Sequence, residues 1–166
     1  YALYDSHIES LTSAVPLESI QKDAFYASDI SSFDFSSGLK EIQSGAFDNI
    51  RSKNPTIILS NDIETIASGA FPLNKPVNIE FEGNAFFSFE NGVLISKKDG
   101  SVLYCDKSIE GEVVLPDYVT SIEECAFWGC KNLTGITFPQ SLTKIGDSAF
   151  FGCDGLTHIT LPENVT

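Results

Sequence analysis

This chain lacks several things, and each absence narrows what it can be. Its 166 residues contain no methionine, two histidines, one tryptophan and four cysteines. Basic residues number 10 against 23 acidic ones, a formal charge of −13. Polyanions repel such a surface, so nucleic acid and anionic membranes are excluded as partners, while a basic partner stays open. No apolar run is long enough to cross a bilayer, so no membrane insertion is expected here. No charged-then-apolar leader opens the chain, which begins at Tyr1 rather than Met. It therefore reads as a processed or trimmed piece of a longer protein.

With two histidines, His7 and His158, catalytic options are few. Neither stands in a pattern with a Ser or Cys that suggests a nucleophile and its base, so no catalytic residue is assigned. There is no Gly-rich phosphate loop. Lys98-Asp99-Gly100 lacks the further oxygen ligands of a calcium loop. Cys125-x4-Cys130 and Cys153-x4-His158 imitate a zinc set, but their spacing is not that of short zinc loops. No metal or cofactor is expected. Cys130 and Cys153 stand 23 residues apart at one repeat position. They read as a disulfide, as half a metal site or, preferred here, as small buried groups filling equivalent places. Cys105 lies elsewhere and would meet another cysteine only through folding.

What is present is a beat. Ala-Phe recurs as Ala24-Phe25, Ala46-Phe47, Ala70-Phe71, Ala126-Phe127 and Ala149-Phe150, at gaps of 22, 24, 56 and 23 residues. An isoleucine precedes each Ala by four places: Ile20, Ile42, Ile66, Ile122 and Ile145. Self-similarity at this period signals a solenoid, in which short coils stack and none buries its apolar side alone. The clearest unit, LPDYVTSIEECAFWGCKNLTGITF from Leu115, is followed by FPQSLTKIGDSAFFGCDGLTHITL from Phe138.

Each unit has physical parts. Leu133-Thr-Gly-Ile136-Thr-Phe138 ends in period-two alternation, as does its repeat Leu156-Thr-His-Ile159-Thr-Leu161, and both predict strands in a parallel ladder. Pro116 and Pro139 end those strands, since proline donates nothing to a ladder. Val119-Thr-Ser-Ile122 predicts a second short strand on the opposite wall. Ala-Phe opens a tight turn with Phe filling the hollow, and Gly129 and Gly152 suit the reversal after it. Earlier coils place strands at Phe33-Asp-Phe35, Ile57-Ile-Leu59 and Ile79-Glu-Phe81.

The organisation expected is one solenoid domain. Residues 1–16 form a terminal cap, with Ile8 and Leu11 suggesting a short helix. Degenerate coils occupy 17–81, an inserted β-hairpin or meander 82–114, regular coils 115–161, and the start of a truncated coil 162–166. Within the insert, Phe86 to Phe89, Val93 to Ile95 and Val102 to Tyr104 read as strands, separated by the turn-forming pairs Asn91-Gly92 and Asp99-Gly100. Leu161-Pro-Glu-Asn-Val-Thr166 repeats Leu115-Pro-Asp-Tyr-Val-Thr120 and then stops, so a further coil is expected in the parent protein.

Residues 115–161 closely match the unit LPxSVTxIGxxAFxGCxxLTxIT, and 17–81 match it more loosely. The chain thereby resembles the BspA-like, or treponemal-type, leucine-rich repeats. The resemblance implies a right-handed leucine-rich-repeat superhelix, mainly β with short helical turns, interrupted by a β-hairpin. It also implies a secreted or surface-attached protein, associated with adhesion to host matrix proteins or other cells, and it carries over no catalytic motif.

Repeated letters build the core, so recognition must be written in the positions the repeat leaves free. Aligning the coils sets Asp34, Ile58, Glu80, Thr137 and Thr160 in one outward row, with Ser32, Thr56, Asn78, Gly135 and His158 in another. This mixed face suits a protein or peptide ligand better than a small molecule, and an inert solvated sheet is the competing reading. The aromatic insert (Phe86, Phe87, Phe89, Tyr104) is a second candidate. The functional reading is a noncatalytic binding or adhesion module, outside the cell or on its surface. The alternatives are a structural spacer, or an accessory region of an enzyme whose catalytic domain lies elsewhere.

Overall fold

The structure is a computed structural model that describes residues 7–13, 17–81 and 83–165. The chain forms two compact units, 1–86 and 87–166. Among the described residues every regular element is a strand, and the chain makes about six solenoid turns in all. The expected short helical turns are absent. Hydrogen-bonded turns take their place, because left-handed residues such as Gly45 and Asn49, or Cys125 and Gly129, interrupt the stretch around each Ala-Phe and no right-handed helix passes through them.

In the first unit, β1 (His7–Thr12), β3 (Asp29–Phe35), β5 (Thr56–Leu59) and β7 (Asn78–Glu80) form a parallel sheet in that order. On the other wall, β2 (Ser19–Ile20), β4 (Glu41–Ile42) and β6 (Thr65–Ile66) form a second parallel sheet. The expected capping helix is instead strand β1, so far as it falls on described residues. Ile8 and Leu11 pair opposite Ile30 and Phe33, and extended pairing satisfies the backbone of β3 where a lone helical turn would leave it open.

The Ala-Phe beat is a ladder of rings. Phe25 stacks on Phe47 at 5.4 Å and Phe47 on Phe71 at 5.8 Å, the latter pair nearly coplanar at 4°. Phe33 meets Phe47 edge-on at 5.1 Å, and Phe35 closes the cluster at 5.8 Å from Phe25. Beside each ring pair the backbone is clamped: the Phe25 N–H donates to the Ala46 carbonyl and the Phe47 N–H to that of Ala70, both at 2.9 Å. Ala46 and Ala70 are essentially fully buried, which leaves no room for a larger side chain at that step.

The turn that carries this pair has a constant backbone. The residue before each Ala adopts a left-handed conformation in all five coils: Asp23, Gly45, Gly69, Cys125 and Ser148. Glycine does this cheaply, and the other three accept strain of about 1 kcal/mol or more. A second left-handed position lies two residues past each of four of the Phe residues, at Ala27, Asn49, Gly129 and Gly152, the reversal expected at the two glycines.

The second unit opens with a meander. β8 (Phe87–Glu90), β9 (Val93–Ser96) and β10 (Ser101–Cys105) pair antiparallel in succession. Asn91 and Gly92 are both left-handed at the first turn, as a two-residue hairpin demands. β10 then pairs in parallel with β12 (Ser121–Ile122), and β12 with β14 (Lys144–Ile145). Thus Val102, opposite Ile122, holds the place of the repeated isoleucine. Cys105 holds that of the repeated Phe, its N–H donating to the Ala126 carbonyl at 2.7 Å as Phe127 donates to Ala149 at 2.9 Å. The last strand of the meander is therefore a degenerate coil, and the added material is the hairpin before it. β11 (Glu110–Val114) pairs in parallel with β13 (Asn132–Thr137), so the end of the 82–114 stretch runs in the ladder. The core joins Val102, Cys105, Val113, Leu115, Phe127, Cys130, Leu133 and Leu142 into one buried cluster.

Residues 156–161, expected as a strand, form none. Among the described residues β13 pairs with β11 alone, so no ladder holds 156–161 extended.

Candidate functional site

In the first unit the strand alternation turns Phe33, Phe35, Ile57, Leu59 and Ile79 inward and leaves the residues between them on the outer face. Register aligns these outward groups across strands. Ser32 stands opposite Thr56 and Thr56 opposite Asn78; Asp34 stands opposite Ile58 and Ile58 opposite Glu80. β1 extends both rows with Ser10 opposite Ser32 and Thr12 opposite Asp34. Six of the sequence candidates therefore form a two-row patch on a single sheet. Asn78 Nδ2 donates to Glu80 Oε1 at 2.6 Å, and the Ser36 N–H donates to Asp34 Oδ1 at 3.0 Å, so both acids are oriented by neighbours. Ile58 is half-buried at the middle of the second row, flanked by the two carboxylates.

The remaining candidates belong to the second unit. Thr137 pairs with Val114 and Gly135 with Glu112. His158 and Thr160 are exposed on the segment without strand structure, where Thr160 Oγ1 lies 3.3 Å from His158 Nε2. Sequence reasoning missed the partners of Thr137 and Gly135. Glu110 faces Asn132 at the start of the same pair, and Val114 is 71% exposed. The signal was present: Glu112-Val-Val-Leu-Pro116 parallels Gly135-Ile-Thr-Phe-Pro139, each a strand ended by proline. Of the insert aromatics, Phe87 and Tyr104 are buried, Phe89 is half-buried, and Phe86 is exposed.

One polar cluster in the first unit resembles a catalytic arrangement and fails as one. His7 Nδ1 and Asp29 Oδ2 lie 2.7 Å apart, and Ser52 Oγ donates to Asp29 Oδ1 at 3.0 Å. The serine thus donates to the acid and not to the imidazole, so His7 is not placed as its base. Hydrogen bonds from His7 and then Ser52 hold the Asp29 carboxyl below the usual range. Lys75 Nζ donates to the Ser52 carbonyl at 3.1 Å. The cluster fastens β1 to β3. Among the described residues, no group of three or more His, Cys, Asp or Glu could hold a metal ion. No helix among them is long and apolar enough to cross a membrane.

Comparison with known proteins agrees with this architecture. The family profile for the BspA type leucine rich repeat region matches residues 1–96 and 100–166, in six copies. A leucine-rich repeat protein from Eubacterium ventriosum superposes with a TM-score of 0.78 at 26% identity, covering 99% of this chain and 45% of that one. The pneumococcal vaccine antigen PcpA superposes at 0.62 and 25% identity, over 96% of this chain and 44% of its own. A leucine rich cell surface protein from Faecalibacterium prausnitzii shares the fold at 0.51 and 16% identity, over 99% of this chain and 64% of its own. The chain spans less than half the length of the first two. No protein of curated function matches the sequence. With stacked rings, parallel walls and six repeat copies in agreement, the chain belongs to the BspA type leucine-rich repeat family.

Proposed function

We propose that this chain is a noncatalytic protein-binding module of a secreted or surface-exposed protein, contributing to adhesion. The observation that carries this reading is the in-register patch Ser32, Thr56, Asn78 with Asp34, Ile58, Glu80. Short hydroxyl and amide groups around one half-buried aliphatic side chain, flanked by fixed carboxylates, offer hydrogen bonds, an apolar contact and a sign preference in one place. A flat sheet face of this kind fits a protein or extended peptide, with basic side chains opposite Asp34 and Glu80. The likeness to a vaccine antigen supports exposure to the outside.

The double charge reversal Asp34→Lys, Glu80→Lys tests the reading. Its circular dichroism should match the parent's and its melting point should fall by only a few degrees, since the variant gives up the bonds from the Ser36 N–H and Asn78 while the inward residues of the sheet are untouched. Capture of matrix or host-surface proteins should fall at least tenfold. Unchanged capture of every partner would favour a spacer that carries another domain.

A further inference from the structure

Folding brings together two cysteines that stand 25 residues apart in the chain. Cys105 sits where the other coils carry phenylalanine, and Cys130 follows the next Phe by three places; both are fully buried. Their sulfurs converge on one acceptor: Cys105 Sγ and Cys130 Sγ each lie 3.7 Å from the Asp106 carbonyl oxygen. Cys130 Sγ is also 3.8 Å from the Cys105 carbonyl, so the two thiols share one small buried pocket of carbonyl oxygens. Lys107 closes over them. Its Nζ lies 2.7 Å from the Cys105 carbonyl, 3.9 Å from Cys130 Sγ and 4.7 Å above the centre of the Tyr104 ring.

The two sulfurs are not equivalent. The neighbouring Cys105 thiol and the nearby Lys107 charge hold the Cys130 thiol below its ordinary range despite burial. The Cys130 neighbour, then burial, pushes the Cys105 thiol up. Cys153 is occupied differently, its thiol donating to the Phe127 carbonyl at 3.0 Å and pushed up to about 11, chiefly by burial. Cys125 lies on the outer turn, only partly buried.

We propose that Cys105 and Cys130 are a redox pair, closing to a disulfide that ties strand β10 to the turn after β12 when the chain folds with a low-molecular-weight disulfide. The Cys130 thiolate attacks one sulfur of the reagent, forming a mixed disulfide and expelling the first thiolate. The Cys105 thiol gives its proton to that thiolate, and its sulfur attacks Cys130 Sγ, expelling the second. The protein loses two electrons and two protons, and the reagent becomes two thiols. Because both sulfurs are shielded in the folded state, exchange belongs to folding or to local opening around Lys107.

The experiment is refolding of the whole chain with glutathione disulfide, then denaturation, alkylation and peptide mass mapping. Two of the four thiols should resist alkylation, a Cys105–Cys130 linked peptide should appear, and dithiothreitol should reverse both changes. The melting point should rise by roughly 5–10 °C over the reduced chain. Cys105→Ser should abolish the link. If that variant fails to fold, the Cys125→Ala, Cys153→Ala double variant, which keeps the pair, should still form it. Four alkylatable thiols, a Cys130–Cys153 link, or glutathione left attached to either sulfur would overturn the proposal.

Discussion

The two units use one coil plan and fill it differently. The first packs five phenylalanines, Phe25, Phe33, Phe35, Phe47 and Phe71, into a continuous set of rings. The second keeps the Phe127–Phe150 stack at 5.1 Å, adds Phe138 edge-on to Phe150 at 6.0 Å, and otherwise surrounds it with aliphatic side chains and the thiols of Cys105, Cys130 and Cys153. The contrast is sharpest three residues past the repeated Phe. There the second unit places Cys130 and Cys153, whose sulfurs reach carbonyls of the preceding turn. The first unit places Ser28, whose buried Oγ has no partner among the described residues, and Ile50, which brings no polar atom. Backbone geometry thus defines the slot, while the choice of side chain decides whether its polar atom is satisfied.

This comparison can be broken in graded ways. The largest effect belongs to Phe47, which touches Phe25, Phe33, Phe35 and Phe71. Phe47→Ala should cost about 4–5 kcal/mol in urea unfolding, at the upper end for a buried ring. Phe127→Ala, in the less aromatic unit, should cost about 3–4 kcal/mol. Equal or reversed losses would mean that ring clustering does not distinguish the units.

Next comes Gly100, left-handed at φ 72° at the second meander turn, where an added Cβ would run into the Tyr118 carbonyl. Gly100→Ala should destabilise by about 2–3 kcal/mol. A loss under about 0.5 kcal/mol would show that the meander is not locked against the turn before β12. Smaller and of opposite sign is Ser28→Cys, which installs the second unit's solution in the first. Stability should rise by about 1 kcal/mol, and a fall would mean that Ser28 is matched to its site.

The smallest effect concerns the edge of the first unit. The Asp29 carboxyl is held below its usual range by hydrogen bonds from His7 and Ser52. Its contribution is fully present above the unfolded carboxylate value, near pH 4, and is lost as pH falls through the lower folded value. Amides of β1 should therefore exchange faster below about pH 4, and Asp29→Asn should remove that dependence. An unchanged acid response in the variant would place the titrating group elsewhere.

Much of this was legible because core positions repeat by identity. Ile20, Ile42, Ile66, Ile122 and Ile145 with their Ala-Phe partners located five coils, and Asn91-Gly92 located the hairpin. The coil through Val102 and Cys105 was hidden, since its isoleucine is valine and its phenylalanine cysteine. It also has two fewer residues between those positions than Ile122 and Phe127 have. Here tertiary pairing with β12 defines the coil, and no local pattern reports that. The left-handed step was equally obscured, because Gly45 and Gly69 announce it whereas Asp23, Cys125 and Ser148 adopt it under the demands of stacking. Strand β1 and the strandless residues 156–161 were misjudged for one reason: at a margin, neighbours decide the conformation more than alternation does. The outward rows of the first unit followed directly from period-two counting, but their ligand did not, since exposed positions carry no packing constraint to read.

Whether the outer rows of the first unit bind a partner is read by hydrogen–deuterium exchange of the chain with and without a captured matrix or host-surface protein. Binding should slow exchange in β3, β5 and β7, around Ser32, Thr56, Asn78, Asp34, Ile58 and Glu80, and leave the Ala-Phe turns unchanged. Protection confined to those turns, with the outer strands unaltered, would contradict binding at the outer rows.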